Sequence, residues 1–124
     1  MNILALCIGA SLGAIARWQL GLWLNAPSSW LPWGTLVANL VGGLLIGLAL
    51  GVFQQLPEID PVWRLALVTG FLGALTTFST FSAEGVMLLQ QSRFAAALAH
   101  SGLHLLGSLV ATFVGLKLAI ALLR

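Results

Sequence analysis
Residues 70–84 read GFLGALTTFSTFSAE. Two glycines, Gly70 and Gly73, lead into Thr76, Thr77, Ser79, Thr80 and Ser82, with Phe78 and Phe81 set among the hydroxyls. The apolar run that contains them, from about Trp63 to Gln90, exceeds the roughly 20 residues that a helix needs to cross a bilayer. Glycine and threonine are mediocre helix formers, and a hydroxyl can cap a new helix start. The stretch therefore predicts a membrane helix broken near mid-membrane. Broken backbone at that depth survives only where it is buried in protein or lines a polar cavity. The alternative is an unbroken helix whose hydroxyls bond back to their own carbonyls.

The rest of the chain is equally apolar. Of its 124 residues 60% are hydrophobic and 6% charged, and the mean hydropathy is +1.05. An ordinary soluble domain carries about 25% charge. Here the charges are Arg17, Glu58, Asp60, Arg64, Glu84, Arg93, Lys117 and Arg124, too few to coat a water-facing surface. A soluble enzyme, a nucleic-acid binder and a disordered chain are excluded. What remains is an all-α integral membrane protein, a single domain over 1–124 with four transmembrane helices at about 3–24, 33–53, 63–90 and 94–123. A β-barrel is excluded because the runs lack alternation and exceed the ~10 residues of a membrane strand. No basic segment precedes the first run, which is read as retained and not as a leader. Trp23, Trp30 and Trp33 bracket the first turn and mark one membrane surface, and Trp63 marks the other. The single cysteine, Cys7, forms no internal disulfide. The net charge of +2 implies no nucleic-acid partner.

Basic residues set membrane orientation only when one side has an excess. Four spans put Arg64 and Arg124 on one side, with Lys117 two turns in, and Arg93 on the other, with Arg17 two turns in. The bias is near zero, so the chain is expected to insert both ways and to form an antiparallel, dual-topology homodimer. Gly9 and Gly13, and Gly43, Gly47 and Gly51, have the small-xxx-small spacing of close helix packing.

Polar residues inside a membrane are functional candidates by default. Asn39 lies about six residues into the second span and offers two N–H donors and one acceptor; it is interhelical glue or part of a polar path. Phe78 and Phe81, three apart, share a helix face. They are either core or a pair whose positive ring edges, beside an amide and hydroxyls, make an anion-friendly strip without fixed positive charge. Ser108 and Thr112, four apart, extend that strip. Arg17 either snorkels to the headgroups or draws anions into a vestibule. Glu84 pairs with a cation or caps a vestibule. His100 and His104 have the spacing of two metal ligands, but a zinc site needs more protein ligands, and they are read as packing or water-lined histidines. No catalytic constellation is present, so the chain is not an enzyme.

The runs GASLGAIARW (9–18), WGTLVANLVGG (33–43) and GFLGALTTFSTFSAE (70–84) resemble the fluoride channel family called Fluc or CrcB, in order and over essentially the whole chain. The resemblance implies four-helix subunits in antiparallel dual-topology dimers with two pores. It implies that Asn39 is the pore asparagine and that the ring edges of Phe78 and Phe81 meet fluoride. Ser79, Thr80, Ser108 and Thr112 match the polar track, Glu84 lies near one pore end, and Arg17 matches the arginine of the first helix. It also implies a structural sodium ion, Na+, at the dimer axis, held by backbone carbonyls of Gly73 and Thr76 and not transported. The expected function is a passive fluoride channel in the cell inner membrane, in contact with lipid, that lowers cytoplasmic fluoride. Two rivals are a small dual-topology multidrug transporter, disfavoured because the first span has Arg17 and no carboxylate, and a small structural subunit of a larger membrane complex.

Overall fold
In the computed structural model, which describes residues 1–124, the apolar runs become α1 (Asn2–Leu24), α2 (Trp33–Gln55), α3 (61–75), α4 (Phe78–Gln90) and α5 (Phe94–Leu122). α3 and α4 together form one span, so the chain has four spans long and apolar enough to cross a membrane.

α1, α2 and α5 begin without a side-chain cap, whereas both halves of the third span have one. At α3 the Asp60 carboxylate accepts the Val62 N–H at 2.9 Å, with Pro61 at the first helical position. Proline suits that position because its fixed φ is already helical and its missing N–H would have no partner. The sequence places Pro61 in the turn and opens the span at Trp63; the cap and the proline start it earlier. After one turn, Leu65–Leu72 widens into a π-helix before the last turn, Gly73–Leu75. Nothing in the sequence signals this widening.

α1 packs along α3, and α2 packs along α5. The glycine rows set both pairings. A Cβ at Gly9 or Gly13 would overlap the carbonyls of Ala66 or Phe71 in the π stretch. A Cβ at Gly47 would overlap the Thr112 carbonyl, and one at Gly115 would lie 3.2 Å from the Gly47 Cα. Backbones meet directly here, which small residues allow and lipid-facing leucines do not. Ala38, Leu72 and Leu75 form a buried knot just below the break, joined by Ala16 and Leu20. Only 22 of the 124 residues are buried; the exterior of leucine, isoleucine, valine, phenylalanine and tryptophan suits lipid or another protein surface and not water.

Candidate functional site
The third span breaks at Thr76 and Thr77, whose backbones are extended (ψ 152° and 119°). An α-helix would send the Thr77 N–H to the Gly73 carbonyl and the Thr80 N–H to the Thr76 carbonyl. Side chains take both donors instead. The Thr77 N–H goes to Asn39 Oδ1 at 2.8 Å, and the Thr80 N–H to Thr77 Oγ1 at 3.1 Å. The Gly73 and Thr76 carbonyls thereby lose their helical donors. Asn39 completes its grip by donating from Nδ2 to the Thr77 carbonyl at 3.0 Å. Arg17 Nε donates to the Ala74 carbonyl at 2.9 Å, so its head turns to the end of α3. The Thr76 hydroxyl does bond back, to the Leu72 carbonyl at 2.8 Å, as the unbroken alternative expected of such hydroxyls, yet the helix still stops.

The fourth span closes the site from the other side. Asn39 Nδ2 lies 2.9 Å from His104 Nδ1, and His100 Nε2 donates to the Phe81 carbonyl at 3.2 Å. Both imidazoles are buried, at 1% and 5% exposure. Phe81 packs on both, with ring centroids 5.1 and 4.7 Å away, and meets Phe78 at 5.4 Å with the planes tilted by 55°. Phe78 itself stands 80% exposed on the outside of the single chain. Asn25, in the turn before α2, donates from Nδ2 to Thr35 Oγ1 at 3.3 Å, and that hydroxyl donates to Glu84 Oε2 at 2.7 Å. Glu84 Oε1 is 3.8 Å from His100 Nε2. Glu84 Oε1 and His104 Nε2 are buried without a hydrogen-bond partner.

A cavity of about 440 Å³ beside the break is lined by Asn39, Gly73, Thr76, Phe78, Phe81, His104 and Ser108, without lysine or arginine. A second, of about 190 Å³, lies on the α1 side among Arg17, Asn25, Thr35, Thr77 and Thr80. Ser79 is exposed, its hydroxyl 3.3 Å from Thr77 Oγ1. Thr112 lies against the α2 glycines, its Oγ1 3.3 Å from where a Gly43 Cβ would be. Glu84 joins the site through Thr35 and His100 and not through either cavity. Thr77 is the hydroxyl cap that the run of hydroxyls predicts, whereas Asn25 and Thr35 carry no signal of a role in the sequence, and His100 and His104 lack a further ligand there. The structure supplies one: Glu84, His100 and His104 bring one ligating atom each within 4.8 Å of the others. The histidine spacing was the available signal; nothing in the sequence marks Asn25 or Thr35.

The family model described as CrcB-like protein, Camphor Resistance (CrcB), matches residues 4–116. The protein of Albidiferax ferrireducens called fluoride-specific ion channel FluC is 64% identical over 119 residues, covering 96% of this chain and 91% of that one. The protein of the same name from Variovorax paradoxus is 58% identical over 117 residues, covering 94% and 93%. That from Bordetella petrii is 60% identical over 122 residues, covering 98% and 94%.

Proposed function
This chain belongs to the CrcB-like family, and on that premise we propose that it is a passive, fluoride-selective channel that lowers cytoplasmic fluoride by efflux across the cell inner membrane. It is a multi-pass membrane protein and a channel, not an enzyme. The observation that carries the reading is the cavity at the break, which offers polar groups and ring edges without lysine or arginine. Fluoride holds its water tightly, so a pore must replace that water with donors, yet bind weakly enough to release the ion. The membrane potential, about 2.3 kcal/mol per charge per 100 mV, drives the anion out. The proposed path runs by Asn39, Phe78, Phe81, Ser79, Thr80, Ser108 and Thr112, with Arg17 and Glu84 toward its ends.

The working unit in this reading is an antiparallel, dual-topology homodimer. Two features support a second copy at the break. Phe78 is left exposed, and Gly73 is exposed with no atom closer than 3.6 Å to a Cβ built there. That glycine meets no steric need within one chain, unlike Gly47, and suits a close approach from outside. The same place fits the structural sodium. The carbonyls of Gly73 and Thr76 are the two whose helical donors are taken by side chains, and freed carbonyls at a half-helix end are cation ligands. When bound, the ion supplies positive charge that ties two such ends together.

Purified protein in liposomes, read with a fluoride electrode, tests this. Fluoride efflux with little chloride efflux is expected; a proton-coupled cation flux, or no flux of either anion, would replace the reading with one of its rivals. Replacing sodium by a large organic cation is expected to weaken the dimer or its flux, since an ion bound only to the assembly stabilises it.

A further inference from the structure
The hydrogen bonds of Asn25 allow one arrangement of protons. Pro32, at the N-cap position of α2, offers no side-chain acceptor to the first N–H groups of that helix; Asn25, in the preceding turn, does. Its side-chain oxygen receives the Gly34 N–H at 2.7 Å and the Thr35 N–H at 3.4 Å. A backbone N–H only donates, so the atom facing both is Oδ1, and Nδ2 is the atom that faces Thr35 Oγ1, at 3.3 Å. An amide nitrogen has hydrogens and no lone pair to accept with. The Thr35 hydroxyl therefore accepts from Asn25, and its single hydrogen goes on to Glu84 Oε2, at 2.7 Å. That is the length of a charge-assisted O–H···O⁻ bond. The relay runs one way, from the turn through a buried threonine to the carboxylate.

Its outer end is held firmly. Leu31, in the same turn, is 2% exposed and packs with Leu88 of α4 and with Ala96 and Ala97 of α5. Arg93 donates to the Trp30 carbonyl. The Asn25 N–H closes α1 on the Gly21 carbonyl at 3.0 Å. A Cβ at Gly34 would lie 2.8 Å from Asn25 Oδ1, so a glycine is what lets the amide come this close. The turn is pinned to the two helices that carry Glu84 and His100, and Asn25 has a fixed place from which to aim Thr35. With Oε2 taken by Thr35, Oε1 is the oxygen left over: buried, without a hydrogen-bond partner, and 3.8 Å from His100 Nε2. A carboxylate released from Thr35 is free to turn, and the charge it places beside the proposed path moves with it, which matters because the energy of a charge on an ion depends on their separation.

We propose that Asn25 is a positioning residue for Glu84: acting through the Thr35 hydroxyl, it commits Oε2 to α2 and leaves Oε1 as the oxygen that faces the interior. The proposal rests on the fluoride-channel reading only for its effect on flux.

The chain has two glutamates, Glu58 and Glu84, so protein labelled with 13C at the glutamate carboxyl gives two resonances, and Glu84→Gln assigns them. Asn25→Asp keeps the shape and the acceptor, loses the donor, and adds a carboxylate that carries no label. Asn25→Ser gives up the same donor without adding charge. Thr35→Val takes the hydroxyl from Glu84 directly and shows the shift that its loss produces. The Glu84 signal is expected to move in both Asn25 variants in the direction it moves in Thr35→Val, with Glu58 unmoved and a wild-type size-exclusion profile. Fluoride efflux from liposomes should fall about tenfold, the scale of one hydrogen bond to a charged group. A Glu84 signal at its wild-type place in whichever Asn25 variant assembles overturns the proposal, and so does wild-type flux in a variant whose signal has moved. If neither variant assembles, Asn25 serves only to hold the turn, and the proposal is overturned as well. A wild type that conducts no fluoride is a different result: it removes the channel reading, while the Glu84 signal still decides the relay.

Discussion

The seam between α2 and α5 and the break between α3 and α4 hold helices together by opposite means. At the seam, side chains are removed: Gly47 and Gly115 bring one backbone onto the other, where a Cβ on Gly47 would overlap the Thr112 carbonyl. The attraction there is close contact between smooth surfaces. At the break, side chains are added: Asn39 and Thr77 stand in for helical partners that the backbone has given up. Both devices answer the same condition, that lipid offers a polar group nothing to bond to. The seam keeps backbone polarity inside each helix, while the break passes it to side chains and leaves carbonyls and a cavity for use.

The largest effect is expected where the seam is forced apart. Gly47→Val drives a Cβ bearing two methyl groups into the Thr112 carbonyl and the Leu116 nitrogen, beyond the roughly 1–3 kcal/mol of ordinary overpacking. Size exclusion should show loss of the assembled protein; a normal profile would mean that the seam yields as easily as a side chain does.

Next comes Asn39→Asp. The carboxylate can still accept the Thr77 N–H but cannot donate to the Thr77 carbonyl or to His104, and it adds negative charge to the proposed anion path. Fluoride efflux should fall by more than about tenfold while the size-exclusion profile stays that of wild type, because each buried partner left unpaired is worth roughly 1–3 kcal/mol. Flux near wild type would reduce the asparagine to glue.

The aromatic pair gives a sharper test on a smaller stability scale. Phe78→Ile and Phe81→Ile keep apolar bulk and should change stability by less than about 1.5 kcal/mol. If ring edges face the ion, efflux collapses all the same; unchanged flux in both variants returns the pair to packing.

Thr77→Val removes only the hydroxyl that caps α4. About 1 kcal/mol of stability should go, visible in a detergent melt, with the Asn39 clasp intact because it holds backbone atoms. The smallest effect is at Gly102, where nothing lies within 4 Å of an added Cβ. Gly102→Ala should leave the melt unchanged or raise stability by up to about 1 kcal/mol through helix propensity, which separates glycines of the seam from glycines that merely share its composition.

The spans, the glycine rows and the break were legible in the sequence because each is a local pattern. Apolar length, small residues four apart and a dense run of hydroxyls each carry their physics within one turn or one helix. The clasp was not legible. That Asn39 faces a polar strip follows from depth, but that its partner is the Thr77 backbone depends on how α2 leans across the break. Arg17 offered two readings, headgroup or vestibule, and turned to the Ala74 carbonyl, an acceptor that exists only because the helix ends there. His100 and His104 needed Glu84, Glu84 needed Thr35, 49 residues away, and Thr35 needed Asn25, a further 10 residues away, along links no spacing encodes. Ser79 and Thr112 show the converse: hydroxyls plain in the sequence whose faces, outward and seam-side, are set by packing.

The two half-helices at the break run in the same direction, and their dipoles add head to tail. The end of α3 at Leu75 presents carbonyls, with the partial negative charge of a helix C-terminus; the start of α4 at Phe78, only three residues later, presents N–H groups and the partial positive charge of an N-terminus. In an unbroken helix these halves of elementary charge cancel inside the rod. Parting them by Thr76 and Thr77 makes one membrane helix into a bipolar object at its middle, attractive to a cation on one lip and to an anion on the other. The ambivalence needs no ionised side chain, so it is the same at every pH at which the fold persists.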